Sequence, residues 1–567
     1  MTLQDKIVKI LATTLKTKGV NRPVVEVVYP TDLDLGDYAT NVAMVYGKKL
    51  GVVPMDLARE LVEEVKKAEL PEVEKIEIAG FGFINFYLKR KYIGEQVGQA
   101  SVDKNYGRNF NSKKQKIAIE YTDPNLFKLF HLGHLVSNAI GETISRFYSW
   151  QGYSIKRFCY QGDVGLHIAK TIYGLRRHRF LWWREKIIGR IKSRVALLGQ
   201  SYTEGHLAYE DNPEAKSEIK EINKAIYSRA WPAVNVFYDT GRRWSLDYFD
   251  TIYAKLGTKF DFHIFESETA ALGLSLVKEY LDKGKFIESQ GAVVFPGDKY
   301  GLHARVFITS QGLATYEAKD LGLFKIKHDM FSYDQSVVVT GNEQTEYYKV
   351  VLKAAEVVFP ELAKKTKHVT HGFLRLASGK MSSREGTVVT AEDLLQQVQT
   401  VVKTKINDEQ KVKDKQMLEQ VALGAIKFSI LKQSPGKDIM FDFDKSLSFE
   451  GDSGPYLQYT VTRARSVLTK ASRLPEWSKT DIPAMVLPVE RLLIRWPEVS
   501  ARAAAELAPQ QVVVYLLQLA SAFNSFYAEY KILGETDSAY RLHLTRGVER
   551  VLTAGLDLLA IPIPDKM

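Results

Sequence analysis

Two short motifs in this chain carry side chains that could bind phosphate groups. The first is His131-Leu132-Gly133-His134, and the second, about 250 residues later, is Lys380-Met381-Ser382-Ser383-Arg384. Imidazole N–H groups can donate to phosphate oxygens, and a glycine lets a nucleotide approach the backbone closely. A lysine can stabilise the negative charge that develops on departing pyrophosphate. Together the two motifs predict attack on the α-phosphate of ATP.

The first motif lies where a strand-like run leads through a loop into a helix. The run at 116–120 is apolar enough for a buried strand, and the apolar spacing from Leu132 to Trp150 predicts a helix. A helix N-terminus presents free N–H groups and a positive dipole to an anion. Two histidines at a helix start are also common as structural residues, so this motif alone leaves both interpretations open.

The second motif lies in a small, polar segment bounded by Gly379 and Gly386. A strand-like run precedes it at 371–376, and a helix is expected from near Ala391. This context predicts a mobile loop that closes over the phosphates, with a solvated surface turn as the alternative.

The pair resembles the HIGH and KMSKS elements of class I aminoacyl-tRNA synthetases, and its surroundings resemble arginyl-tRNA synthetases. The stretch Asp123–Lys128 before His131 matches that family's Pro-Asn-x-x-Lys-x-x-His-x-Gly-His pattern. Further matches follow in family order along nearly the whole chain: Gly36–Asn41, Gly80–Phe86, Gly162–Gly165, Tyr316–Asp320, Gly341–Gln344, Gly451–Tyr459 and Gly555–Ala560.

The resemblance implies an arginine–tRNA ligase that works through an arginyl-adenylate. Its partners would be tRNA(Arg), L-arginine and ATP, with Mg²⁺ brought by the nucleotide and no structural metal held by the protein. Catalysis at the phosphates is expected from His131, His134, Lys380 and Lys128. ATP binding is expected from Gly133, Gly341, Glu343, Met381 and Ser382.

Arginine carries a planar, permanently charged guanidinium that carboxylates and amide oxygens can bind in fixed geometry. The candidates for arginine binding are Glu120, Asn125, Tyr316, Asp320 and Gln344. For tRNA binding they are Asn85, Tyr456, Tyr459 and Arg463. Taken one at a time, these residues could equally be structural.

Two residues depart from the family pattern. Ser383 stands where the general class I loop has a second lysine, and the resemblance suggests that Lys128 supplies the missing cation. His167 stands where many family members have glutamine, so the role of that position is open.

Alternating strand-like and helical segments predict an α/β fold. We expect a Rossmann-like, doubly wound parallel sheet in a catalytic domain at 109–449, interrupted by a helical insertion at about 172–290. An α+β N-terminal domain is expected at 1–108 and an all-α helical bundle, binding the anticodon, at 450–567. The insertion is too short for a separate editing domain with its own core, so no editing domain is expected.

Composition is consistent with a polyanionic partner. Lys and Arg total 78 against 67 Asp and Glu, giving a net charge of +11. The single cysteine excludes disulfides within the chain and cysteine-rich zinc sites. The sequence shows no candidate membrane span or signal peptide. We expect a cytoplasmic monomer.

Two other classes of function remain possible at this point. A small-molecule nucleotidyltransferase could share the His-x-Gly-His helix start, although the two appended domains argue against it. A catalytically idle tRNA-binding relative is disfavoured by the intact His131, His134, Lys380 and Asp320.

Overall fold

The computed structural model describes residues 2–110, 113–377, 390–405, 414–471 and 473–567. Its strands are β1 (Tyr38–Thr40), β2 (Val73–Ala79), β3 (Phe83–Leu88), β4 (Lys113–Glu120), β5 (Tyr153–Gln161), β6 (Phe262–Phe265), β7 (Ile287–Ser289), β8 (Ala292–Phe295), β9 (Arg305–Ile308), β10 (Gln335–Gly341), β11 (Thr366–His371), β12 (Leu374–Leu376) and β13 (Ile439–Phe441).

The α-helices follow the same chain order. They are Leu3–Thr17, Val42–Leu50, Pro54–Lys67, Arg90–Val102, Leu132–Trp150, Leu166–Arg177, Arg179–Ile188, Ile191–Asp211, Pro213–Ser228, Pro232–Leu256, Glu266–Asp282, Tyr316–Met330, Thr345–Val358, Pro360–Lys365, Ala391–Lys405, Lys415–Leu431, Phe443–Ser446, Gly454–Lys470, Pro488–Leu493, Trp496–Glu506, Pro509–Glu529 and Ser538–Leu558.

A five-stranded sheet in the order β11-β10-β4-β5-β6 forms the centre of the molecule. All four strand pairs in it are parallel. The chain runs from β4 outward to β5 and β6, then returns to the other side of β4 for β10 and β11. The prediction of a doubly wound parallel sheet is confirmed. Its switch point lies between β4 and β10, where such folds bind their ligands at the carboxyl ends of the strands.

The burial of β4 explains why it occupies the middle of the sheet. Ile117, Ala118 and Ile119 are all buried, so both faces of the strand are covered. The helix Leu132–Trp150 packs on this strand and on β5. The helix covers the same range that its apolar spacing predicted.

Five helices fill the chain between β5 and β6, from Leu166 to Leu256. The predicted helical insertion is therefore present, but its expected end near 290 is wrong, because β6 lies inside that range and pairs with β5. The four residues of β6 include His263 and form too short an apolar run to be recognised as a strand of the central sheet.

Two smaller units flank the central sheet. The N-terminal unit combines the antiparallel sheet β1-β3-β2 with helices, and the C-terminal unit is helical, as predicted. They contact each other directly, since Tyr38 donates to Glu498 and Arg90 pairs with Glu490 at 2.9 Å. The domain boundaries at 108 and 449 stay predictions. In the described residues, no helix is both long and apolar enough to cross a membrane.

Candidate active site

The two histidines of the first motif cap the helix that begins at Leu132. Nδ1 of His131 accepts from the backbone N–H groups of Gly133 (3.1 Å) and His134 (3.4 Å). Nδ1 of His134 accepts from the backbone N–H of His131 at 3.3 Å, and the two rings stack with centroids 3.5 Å apart. Because each Nδ1 is an acceptor, each neutral ring carries its proton on Nε2.

Both rings are uncharged near neutral pH. Burial, with the charge of Lys128, lowers the pKa of His131. Burial lowers the pKa of His134 further, with added effects of His131 and Lys128. The site therefore offers two neutral Nε2–H donors at a helix N-terminus, an arrangement suited to phosphate oxygens.

Lys128 is a half-buried cation beside this helix start. Its ammonium lies 5.6 Å from the centroid of the Tyr202 ring, and no carboxylate pairs with it within the part of the chain that the structure describes. Burial, with the nearby charge of Lys170, lowers the pKa of Lys128. A cation without an anionic partner is costly to bury, so an arriving anion would be bound favourably here.

The loop between β4 and Lys128 is held in a constrained backbone conformation. Thr122, Asp123 and Phe127 have positive φ angles of 81°, 44° and 63°. Non-glycine residues rarely adopt such angles, and they cluster at functional sites. Asp123 accepts from the backbone N–H of Tyr160 at 2.7 Å, which fixes the loop to β5.

Glu120, a predicted arginine-binding residue, already has a partner. Its carboxylate is 2.5 Å from the ammonium of Lys327, and both side chains are buried. Burial alone would lower the pKa of Lys327, but Glu120 more than offsets this and the net pKa is raised. The role of Glu120 in arginine binding stays a prediction, and this ion pair argues for a structural role.

Tyr316 and Asp320 lie one turn apart at the start of the helix Tyr316–Met330. The Tyr316 side chain is exposed, whereas Asp320 is half-buried and accepts from the Tyr347 hydroxyl at 2.6 Å. Burial raises the pKa of Asp320 to about 8, because the Tyr347 hydrogen bond is outweighed by desolvation and nearby carboxylates. A bound guanidinium would supply a positive counter-charge and so favour the ionised form of this carboxyl.

Glu266 follows β6 directly and was not singled out from the sequence. Its Oε2 pairs with Lys319 at 2.6 Å, and both side chains are buried. Its Oε1 and the Oδ1 of Asn125 both border Gly162, at 3.1 and 2.2 Å from where a β-carbon would lie. The sequence signal that could have identified Glu266 is an acidic residue directly after a short apolar run.

The end of β10 contributes Gly341, Glu343 and Gln344. A β-carbon on Gly341 would lie 2.3 Å from the Glu343 carboxylate, so this side chain closely covers the glycine. The negative charge of Glu343 acts on His131 and raises its pKa against the larger effect of burial. Glu343 is therefore near the first motif. Gln344 is exposed.

Lys380, Met381, Ser382 and Ser383 of the second motif lie outside the described residues. Thr390, the first described residue after this motif, forms an antiparallel bridge with His131. The backbone N–H of Ala391 also donates to the Phe130 carbonyl at 2.9 Å. Before the second motif, β12 pairs with β13. The first motif is thus hydrogen-bonded to the start of the helix Ala391–Lys405, which follows the second motif in the chain.

Comparison with known families agrees with this geometry. A profile for "tRNA synthetases class I (R), catalytic domain" matches residues 96–443. The chain belongs to the class I tRNA synthetases of the arginyl type. The "Arginyl tRNA synthetase N terminal domain" profile matches residues 1–88 of this synthetase, and the "DALR anticodon binding domain" profile matches 457–567.

Similar proteins span nearly its whole length. An arginine–tRNA ligase of Clostridium perfringens is 30% identical over 95% of both chains, and so is one of Pediococcus pentosaceus. A solved arginyl-tRNA synthetase of Thermus thermophilus superposes with a TM-score of 0.82 at 25% identity, covering 100% of both chains.

The predicted tRNA-binding residues of this synthetase differ in accessibility. Asn85 is buried within the N-terminal sheet, which argues against direct contact with RNA. Tyr456, Tyr459 and Arg463 are half-buried on one face of the helix Gly454–Lys470. Arg463 stacks on Tyr459 at 4.8 Å. Their roles in tRNA binding stay predictions.

Proposed function

We propose that this chain ligates L-arginine to tRNA(Arg) in two steps through an arginyl-adenylate. The observation that carries the proposal is the pair of neutral Nε2–H donors of His131 and His134 at one helix N-terminus. His131 is also bridged to Thr390, which follows the second motif in the chain. Its substrates are L-arginine, Mg-ATP and tRNA(Arg).

In the first step the arginine carboxylate attacks the α-phosphate, the bond to the β-phosphate breaks and pyrophosphate leaves. His131 and His134 donate to phosphate oxygens, and Lys128 adds positive charge from the side of Tyr202. Lys380 stabilises the charge of the leaving pyrophosphate, Met381 contributes to the adenosine pocket, and Ser382 binds ATP. Gly133, Gly341 and Glu343 line the adenosine pocket. Positioning and charge stabilisation supply the rate, and no side chain acts as a general base.

Arginine lies with its guanidinium against Tyr316 and Asp320 and its backbone end towards Asn125 and Gln344. The raised pKa of Asp320 supports this placement, because a carboxyl with a pKa of about 8 gains most from a cationic ligand. In the second step the terminal ribose hydroxyl of the tRNA attacks the activated carbonyl, and AMP leaves.

We also propose that the enzyme has no editing site and acts as a cytoplasmic monomer. A site that binds a guanidinium through buried polar groups rejects other amino acids strongly, since those groups would be left unpaired. A second, hydrolytic site is therefore unnecessary.

The direct test is arginine-dependent ATP–pyrophosphate exchange, measured with and without tRNA(Arg). Because arginyl enzymes of this family need tRNA for activation, we expect exchange only when tRNA is present. Lysine in place of arginine is the matched control and should give none. Absence of arginine-dependent exchange under both conditions would refute the proposal.

A further inference from the structure

The helix Arg179–Ile188, in the insertion between β5 and β6, exposes a row of bulky apolar side chains. Phe180 is 73% exposed, Trp183 56%, Ile187 59% and Ile188 74%. Residues at positions i, i+3, i+7 and i+8 lie on one side of a helix, so these four form one apolar face. Single exposed apolar residues are common on protein surfaces, but a cluster of bulky ones marks a binding surface.

The opposite side of this helix is already packed against the protein. Trp182 is buried, and the centroid of its ring lies 4.6 Å from that of Phe237. Glu185 is also buried and accepts from the Arg184 guanidinium at 2.6 Å and from the Ser193 hydroxyl at 2.5 Å. The inner side therefore holds the helix in the insertion, while the apolar face remains exposed.

Basic side chains surround the apolar face. Between residues 176 and 194 the sequence has eight Lys and Arg residues and only one acidic residue. Among the described residues, no carboxylate pairs with the exposed basic side chains of Arg179, Lys186, Arg190 and Lys192. Positive charges of this kind beside exposed apolar side chains fit a partner that is both anionic and apolar.

An anionic lipid bilayer has both properties. At its surface, bulky apolar side chains enter the interface while Lys and Arg contact the anionic headgroups. RNA offers phosphates and base faces on which aromatic rings stack, but it gives no apolar environment to Ile187 and Ile188. We propose that the helix Arg179–Ile188 docks its apolar face on an anionic lipid bilayer. This is a peripheral contact, which needs no membrane-spanning helix.

Cosedimentation of the full chain with lipid vesicles tests this proposal. The vesicles contain phosphatidylcholine alone or a mixture of phosphatidylcholine and phosphatidylglycerol. We expect binding to the anionic mixture and at least about tenfold weaker binding to the neutral vesicles. Trp183→Ser/Ile187→Ser keeps every charge and should bind the anionic vesicles about tenfold or more weakly than the wild type, because two apolar contacts are lost.

Phe180→Ser/Ile188→Ser changes the other two residues of the apolar face and should give the same loss. Val24→Ser/Val53→Ser is the matched control, because it removes two exposed apolar side chains from the N-terminal unit. The control should bind the anionic vesicles as the wild type does. Pyrophosphate exchange at the wild-type rate shows that each variant is folded.

Equal vesicle binding by the wild type and both variants of the apolar face would mean that only the general positive charge of the protein acts, which would overturn the proposal. Absence of wild-type binding to the anionic vesicles would also overturn it. Filter binding of tRNA(Arg) covers the RNA alternative, and we expect the same affinity in all variants. A loss of tRNA affinity as large as the loss of vesicle binding would assign the face to RNA instead.

Discussion

His131 of the first motif and Thr390, which follows the second motif in the chain, form an antiparallel bridge. Thr390 directly precedes the helix Ala391–Lys405 and caps it, since its hydroxyl donates to Asp393 at 2.7 Å and accepts from the Asp393 N–H at 3.0 Å. The segment that follows the second motif is therefore fixed on one side to a helix and on the other to His131.

Replacing Thr390 by glycine should slow adenylate formation. Glycine loses the cap and adds backbone freedom at the bridge, so Thr390 would hold His131 and the helix Ala391–Lys405 together less firmly. We expect kcat for pyrophosphate exchange to fall about fivefold or more, with little change in the Kd for arginine. Thr390→Val loses the same hydroxyl bonds but keeps a restricted backbone, and should be affected less. Equal rates in both variants would contradict the role of the bridge.

Lys128→Ala should reduce the rate of arginyl-adenylate formation by much more than threefold. Lys128 lies near His131 without a carboxylate partner in the described part of the chain, so its charge is available to the phosphates. Single-turnover measurement of adenylate formation gives the rate directly. A loss within about threefold corresponds to only ~0.7 kcal/mol and would contradict the role of Lys128.

Lys128→Arg is the control for this experiment. It keeps the charge and should retain more activity than alanine does, although its planar head is not equivalent to an ammonium. If arginine and alanine at this position lose activity equally, packing against Tyr202 rather than charge would explain the loss.

Local patterns were enough to predict the elements that carry the first motif. The helix Leu132–Trp150 has apolar residues at helical spacing, and short strand-like runs predicted β4, β5 and β10. Each of these signals is local and spans at most about twenty consecutive residues. Motif order then identified the family, and with it the sheet topology.

Contacts between distant residues were not predictable in this way. Asp320 receives its hydrogen bond from Tyr347, and Glu120 pairs with Lys327, 207 positions along the chain. A lysine on a polar helix reads as solvent-exposed, and only the packed structure shows that Lys327 is buried. Glu266 was not predicted as a site residue because the strand before it, β6, was not recognised from the sequence.

Glu120→Gln should destabilise the protein strongly. The substitution leaves the buried Lys327 ammonium without its counter-charge, which costs roughly 3 kcal/mol or more. We expect a clear fall in Tm by differential scanning calorimetry. The double variant Glu120→Gln/Lys327→Met removes both charges and should recover most of the loss.

The same pair of variants tests whether Glu120 binds arginine. If its role is structural, the double variant should bind arginine nearly as the wild type does. If Glu120 contacts the guanidinium, the double variant should be stable but bind arginine at least tenfold more weakly. The calorimetric Kd of the double variant therefore distinguishes the two roles.

Arginine binding should depend on pH through Asp320. Its pKa of about 8 means that the free enzyme carries a protonated carboxyl at pH 6–7. A bound guanidinium favours the ionised form and lowers that pKa, so binding releases a proton. Affinity should therefore rise by up to about tenfold per pH unit below pH 8 and level off above it.

Calorimetric titration of L-arginine at pH 6.5, 7.5 and 8.5 measures this dependence, and repeating it in buffers of different ionisation enthalpy counts the released proton. Asp320→Asn cannot ionise and is the control. It should bind arginine weakly and lose the dependence between pH 6.5 and 8, because the carboxyl that exchanges the proton is gone. A wild-type affinity that is flat across this range would show that Asp320 is already ionised, or that it does not contact the guanidinium.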